Sequence, residues 1–169
     1  MLETVHHDVT LADGSLLRVD VRSPHLFRVR LDAAGAVHEG ALERYGILRR
    51  DWPPVEVSVR RRRGEVEFRT MAAVLRVRCD DGRLRLRTAA GRELVSTAEP
   101  PRSRWQEGFR VALALRPGER LYGGGDADRE RIQRRGSAGR MAVRNVASYA
   151  PIPFFMSTGG WAAFVNTTW

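Results

Sequence analysis

Ala73-Val74-Leu75-Arg76-Val77-Arg78 and Arg83-Leu84-Arg85-Leu86-Arg87, joined through Cys79-Asp80-Asp81-Gly82, decide how this chain is read. Leu75 and Val77 alternate with Arg76 and Arg78, and Leu84 and Leu86 alternate with Arg83, Arg85 and Arg87. A strand sends successive side chains to opposite faces, so this alternation points arginine outward and the aliphatic residue inward. Asp-Asp-Gly between two such runs is a hairpin signal, because glycine enters the left-handed backbone region that a tight turn requires.

The same device recurs on both sides. Leu17, Val19 and Val21 alternate with Arg18, Asp20 and Arg22, and Ser23-Pro24-His25 turns the chain into a second run from Leu26 to Leu31. Val55, Val57 and Val59 alternate with Glu56, Ser58 and Arg60, and Arg63-Gly64 turns into Val66 to Thr70. Phe109, Val111, Leu113 and Leu115 form another alternating set, closed by Arg116-Pro117-Gly118. Short strands at this spacing predict an all-β fold, an antiparallel β-sandwich of two packed sheets. Gly35, Gly40, Gly46, Pro53 and Pro54 break the stretch from Asp32 to Pro54 into loops, with Trp52 expected to anchor it to the sandwich. Ala98 to Trp105, with Pro100 and Pro101, reads as a linking loop. No internal repeat or composition shift marks a second domain, so residues 1–169 are expected to form one.

The composition, 43% hydrophobic and 29% charged, is that of a globular chain of one-domain size. All 29 basic residues are arginine, and the net charge is +9. A basic balance can attract nucleic acid, but the run Arg60-Arg61-Arg62-Arg63 has no interleaved aromatic residue on which bases would stack. The arginines are read as a solvated face, and no nucleic-acid partner is expected. No apolar run reaches the roughly 18 to 20 residues that cross a bilayer, and the N-terminus lacks signal-peptide order. A cytoplasmic location without membrane contact is the expectation. The single cysteine, Cys79, is read as an inert structural thiol.

Chemistry is sparse. His6, His7, His25 and His38 stand in no metal-ligand spacing, no Gly-x-Ser-x-Gly elbow is present, and Tyr122-Gly123-Gly124-Gly125-Asp126 lacks the Lys-Ser/Thr of a phosphate loop. Asp126, Asp128 and Glu130 are read as a solvated acidic loop, because neighbours in one loop rarely close on a glycosidic bond from opposite sides. No catalytic residue, metal or cofactor is expected.

The last third carries a specific signal. Pro117-Gly118-Glu119-Arg120-Leu121-Tyr122-Gly123-Gly124-Gly125-Asp126 is followed by Tyr149-Ala150-Pro151-Ile152-Pro153-Phe154-Phe155-Met156-Ser157 and Gly159-Gly160-Trp161-Ala162-Ala163-Phe164-Val165-Asn166-Thr167-Thr168. These segments resemble the end of the N-terminal β-sandwich of glycoside hydrolase family 31, the α-glucosidase and α-xylosidase family. The resemblance is tight over residues 108–168 and looser upstream, where Leu16 to Val19, Leu26 to Arg30 and Val74 to Leu94 fit the family's early strands.

That resemblance implies a galactose mutarotase-like supersandwich, with further strands beyond Trp169. It also implies that the family's two catalytic aspartates lie on a separate barrel, which this chain does not contain. A barrel takes on the order of 250 residues. The chain alone is therefore expected to be inactive, and its parent to be a retaining hydrolase of α-linked carbohydrate. The domain would support that barrel and lend a loop to the sugar site. On this sequence the loop runs from Arg135 to Tyr149, and Arg144, Asn145 and Tyr149 have the types that suit a polyhydroxylated ligand. The family often has a tryptophan and acidic residues here, whereas this chain has Val143 and no acid after Glu130. The alternatives are a free-standing carbohydrate-binding or mutarotase-like sandwich and, in another class, an arginine-driven nucleic-acid binder. Phe154, Phe155 and Met156 are expected to fill the sandwich core, with contact to a following domain as the alternative, Gly159-Gly160 to turn a hairpin, and an incomplete sheet to favour self-association through its edge.

Overall fold

The computed structural model describes residues 6–32, 40–104, 108–126, 131–139, 150 and 152–166. They fall into two compact units, Met1–Glu39 with Glu43–Ala114, and Gly40–Leu42 with Leu115–Trp169.

In the first unit, β1 (His6–Thr10), β2 (Leu16–Ser23) and β3 (Leu26–Asp32) form an antiparallel sheet in that order. The short helix α1 (Ala41–Arg44) follows. A second antiparallel sheet runs β4 (Ser58–Arg62), β5 (Glu65–Arg69), β6 (Ala73–Arg78), β7 (Leu84–Thr88) and β8 (Glu93–Ser96) as a simple meander. The fold is thus the all-β antiparallel sandwich that the alternation predicts. Val9, Leu11, Leu17 and Val19 from one side and Val66, Phe68, Leu75 and Val77 from the other form one buried cluster. Each such side chain, taken fully out of water, stabilises the fold by about 1.5–3 kcal/mol. Thr70 ties turns of the two sheets together: its hydroxyl donates to the carbonyl of Pro24 at 2.7 Å and accepts from the amide of Ala73 at 3.0 Å.

The decisive hairpin forms as read. Leu75 pairs with Leu86 and Val77 with Leu84. Gly82 sits at φ 73°, its amide donates to the carbonyl of Arg78 at 3.0 Å, and the Asp81 carboxylate accepts from the amide of Arg83 at 3.1 Å. Beyond shifts of a residue or so at other ends, and α1 within the stretch read as loops, the structure departs from the sequence reading as follows. β4 begins only at Ser58, so Val55 and Val57 lie outside it, because Pro53 and Pro54 just before them cannot donate to a ladder. The predicted linker holds β9 (Arg102–Arg104), which pairs with β10 (Gly108–Arg110). The predicted strand from Phe109 to Leu115 shortens to β10 and an isolated bridge between Thr97 and Leu113, leaving Phe109 and Val111 exposed. Trp52 is engaged within its own loop: its indole donates to the carbonyl of Arg49 at 3.0 Å, and the Arg49 guanidinium lies 5.1 Å over the ring.

In the second unit, β11 (Leu121–Gly123), β12 (Phe154–Ser157) and β13 (Trp161–Phe164) form an antiparallel sheet with β12 in the middle. Gly160, at φ 85°, turns the β12–β13 hairpin as expected. The expected core packing of β12 does not hold, since Phe154 and Met156 are 37% and 48% exposed. Every residue from Phe154 to Met156 is apolar, so the sequence offers no alternation to select an inward face. Register puts Ser157 and the buried Trp161 on one face, and Phe154 and Met156 on the other. No helix among the described residues is long and apolar enough to cross a membrane.

Candidate functional site

The sequence-predicted contact residues Arg144, Asn145 and Tyr149 lie outside the described residues, as do Asp128 and Glu130. Asp126 is described and exposed. What the structure does define is the frame from which that loop springs. The amide of Asp126 donates to the carbonyl of Ala150 at 3.0 Å, and the amide of Gly124 to that of Phe154 at 2.9 Å. Between the two ends, Gln133 bridges to Tyr122, and the Arg134 amide donates to the carbonyl of Leu121 at 2.7 Å. The Arg134 side chain reaches the carbonyl of Gly123 at 3.0 Å, and Arg135 reaches those of Arg116 and Glu119 at 2.6 and 2.9 Å.

Glycine makes this frame possible. Gly123, Gly124 and Gly125 take φ values of 113°, 81° and 76°, in the region L side chains avoid. A Cβ on Gly123 would overlap the carbonyl oxygen of Phe154, and one on Gly125 that of Ala150. The Gly-Gly-Gly run is thus a close backbone approach rather than a phosphate cradle.

Glu119 locks the frame beneath. It is 5% exposed, and its carboxylate accepts from the Ser157 hydroxyl, from the Trp161 indole at 2.7 Å and from the Arg116 amide at 2.7 Å. Burial alone would raise its pKa. The bonds from Ser157, the Arg116 amide and Trp161, with the Arg116 charge, outweigh that and hold it below the usual carboxylate range. A Cβ on Gly159 would strike the same carboxylate. Nothing local in the sequence assigns Glu119 this role. The available signal was a lone acid in a Pro-Gly turn, matched by Ser157, Thr158 and Trp161 as the hydrogen-bonding side chains of an otherwise apolar hairpin.

The other buried acids among the described residues belong to the first unit: Asp20 and Glu67 lie on strand faces read as solvated, and Glu43 lies on α1. Asp20 is 3% exposed and Arg22 9%, a correction to that reading. Asp20 accepts from Arg28 at 2.9 Å and Arg30 at 3.0 Å, and α1 places the buried Glu43 against Arg28 and, at 3.8 Å, Arg22. Glu67, equally enclosed, accepts from Arg76 at 2.8 Å. For Asp20 and Glu67 burial pushes the pKa up, but the arginines, led by Arg28 and Arg76 respectively, bring it below normal. Asp20 and Glu67 are therefore held ionised by partners of their own fold. His7 leans on Phe68 with ring centroids 5.5 Å apart, and burial, with the nearby Arg61 guanidinium adding to it, lowers its pKa. No group of three His, Cys, Asp or Glu among the described residues could hold a metal ion.

A family model described as the glycosyl hydrolase 31 N-terminal galactose mutarotase-like domain matches residues 16–169. The chain is similar in structure to a GH31 α-xylosidase from a soil metagenome complexed with xylose, at TM-score 0.75 and 20% identity, covering 96% of this chain and 27% of that one. It is similar to the GH31 dextranase of Flavobacterium johnsoniae complexed with glucose, at 0.72 and 22%, covering 95% and 21%. The GH31 α-xylosidase of Xanthomonas citri gives 0.69 and 16%, covering 95% and 18%. At these identities the shared property is the fold. The chain spans 18–27% of the length of these solved enzymes. No curated protein matches it.

Proposed function

The chain belongs to the glycosyl hydrolase 31 N-terminal galactose mutarotase-like domain family, and on that premise we propose that it is a supporting, non-catalytic domain of an α-glycosidase acting in carbohydrate metabolism. Its work would be to brace a separate barrel and to present the stretch containing Arg144, Asn145 and Tyr149 to a sugar held there. The braced stem carries this reading. Arg135, where the loop starts, is bonded to the carbonyls of Arg116 and Glu119, Ala150, just after it ends, accepts from the amide of Asp126, and Glu119 fixes the strands beneath. Positioning to within a fraction of an ångström is what a contact to a reacting sugar demands.

The carboxylates described here suit that supporting role. A glycosidase needs one acid that gives up a proton and a second that attacks or activates water. Asp20, Glu67 and Glu119 are held ionised, with oxygens already engaged by Arg28, Arg76, Ser157 and Trp161.

In an intact enzyme carrying this domain, Tyr149→Ala and the pair Arg144→Ala with Asn145→Ala should raise KM for an α-glucoside or α-xyloside about tenfold, a loss of about 1.4 kcal/mol. The product should keep the α configuration. Unchanged KM and kcat in all variants would overturn the loop's role, and an inverted product the assigned reaction. Titrated alone, the chain should give no heat with glucose, xylose or maltose; measurable binding would favour the free-standing carbohydrate-binding sandwich. Retention on an oligonucleotide column, lost steeply with salt, would favour the nucleic-acid reading instead.

A further inference from the structure

The outward face of the β1–β2–β3 sheet is charged but not open. Register sets Asp20 beside Arg28, and Asp8, Arg18 and Arg30 in the next outward row, on the face opposite Val19 and Val29. Asp20 and Arg22 are buried there, and Glu43, 5% exposed, enters from α1. Its Oε1 accepts from the Arg28 guanidinium and lies 3.8 Å from that of Arg22. Its other oxygen, Oε2, is buried with no hydrogen-bond partner. Guanidinium groups are shaped to hold both oxygens of a carboxylate or phosphate. Glu43, tethered to a four-residue helix, offers them only one. The pocket does not take its shape from Glu43, because Asp20 accepts from Arg28 at 2.9 Å and from Arg30 at 3.0 Å. Burial and the neighbouring Arg28 charge lower the Arg22 pKa against the opposing pull of Asp20 and Glu43, so the site gains from an anion. Apolar packing does not hold down the residues after Glu43. Tyr45 and Ile47 are 78% and 67% exposed, and Trp52 closes on Arg49 within its own loop.

We propose that Arg22 and Arg28 form a binding site for a small oxyanion, a carboxylate or a phosphate, and that Glu43 is its built-in, displaceable occupant. An incoming oxyanion offers separate oxygens to the two guanidiniums. Glu43 then turns out to water, where both of its oxygens are hydrated, and residues 43–52 lift with it. Only hydrogen bonds and ion pairs are exchanged. A tethered competitor acts at an effective concentration on the order of millimolar, so a free ion must reach that range to displace it. The site lies within the first unit, is filled from within the chain, and does not depend on a role in carbohydrate metabolism.

Amide exchange of the full chain in sodium phosphate, sodium acetate and sodium chloride at matched ionic strength tests this. Phosphate or acetate should speed exchange over residues 43–52 several-fold, with chloride inert and β5 and β6 unchanged. Whichever of the two acts more strongly identifies the ligand as a phosphate or a carboxylate. Glu43→Ala removes the competitor and should bind that ion at least tenfold more tightly, read from the arginine Nε–H resonances. Arg28→Gln in that background should abolish the binding. Should the double variant fail to fold, Arg22→Gln in the same background is expected to weaken it in the same direction. An equal response to all three salts overturns the proposal, since it reports screening of an ion pair. So does the absence of any response, binding by Glu43→Ala no tighter than by the unaltered chain, or binding that survives the loss of Arg28.

Discussion

Phe68 and Phe154 are the same residue on two antiparallel sheets, and their surroundings are opposite. Phe68 is 0% exposed among Val9, Leu17, Val19, Val66, Leu75 and Val77, whereas Phe154 is 37% exposed on the β11–β12–β13 sheet. In the first unit the pleat and the apolar pattern agree, so burying one face builds a core. In the second unit the buried centre is a carboxylate, Glu119, and its hydrogen bonds take the place of apolar packing. A β-sheet can thus be held by what it removes from water or by what it satisfies out of water, and the two modes fail differently.

The comparison can be broken first at its strongest point. Phe68→Ala should cost about 4 kcal/mol by denaturant unfolding, with faster amide exchange across β5 and β6. Glu119→Ala should cost about 3 kcal/mol, since it strands the Ser157, Trp161 and Arg116 donors, and exchange should rise at β11 to β13 while β5 and β6 keep their protection. Acid should separate the units by the same logic. Asp20, Glu67 and Glu119 have folded pKa values below their unfolded ones, so their contribution is complete above the ordinary carboxylate range near 4 and is lost as pH falls through the folded values. Melting temperature measured against pH should fall below about 4, and Glu119→Gln should flatten that fall at the second unit alone. Trp161→Phe leaves a smaller aromatic ring and removes one donor to Glu119, and about 1–1.5 kcal/mol is expected. Phe154→Ser should change stability by no more than about 0.5 kcal/mol; a loss equal to that of Phe68→Ala would erase the distinction between the two sheets.

The same contrast explains what could be read beforehand. Strands with one polar and one apolar face announce themselves, and β2, β3, β6 and β7 lie where alternation puts them. Phe154-Phe155-Met156 has no polar side, so its strand could be placed but its inward face could not. The boundary of β4 was missed because Val55 and Val57 continue the alternation while Pro53 and Pro54 deny it a ladder. Asp20 and Arg22 look solvated in sequence; their burial depends on Arg28, Arg30 and Glu43, which reach them from β3 and α1. Glu119 was visible as a letter within a familiar turn, but its role rests on Ser157 and Trp161, which no local pattern connects to it. Arg144, Asn145 and Tyr149 rest on residue type and family resemblance, and substitution is their test.

Those long separations also set an order of events in biosynthesis. Glu119 waits for a hydroxyl 38 residues and an indole 42 residues further along the chain. The strands from β4 to β8 meet their partners one after another as translation proceeds, each hairpin closing on its predecessor. The glutamate, by contrast, emerges from the ribosome long before its partners are made, and it stays hydrated until they arrive. The second unit is therefore completed late and all at once, and a ribosome stalled before Trp161 would leave a finished first sandwich followed by an unclosed strand.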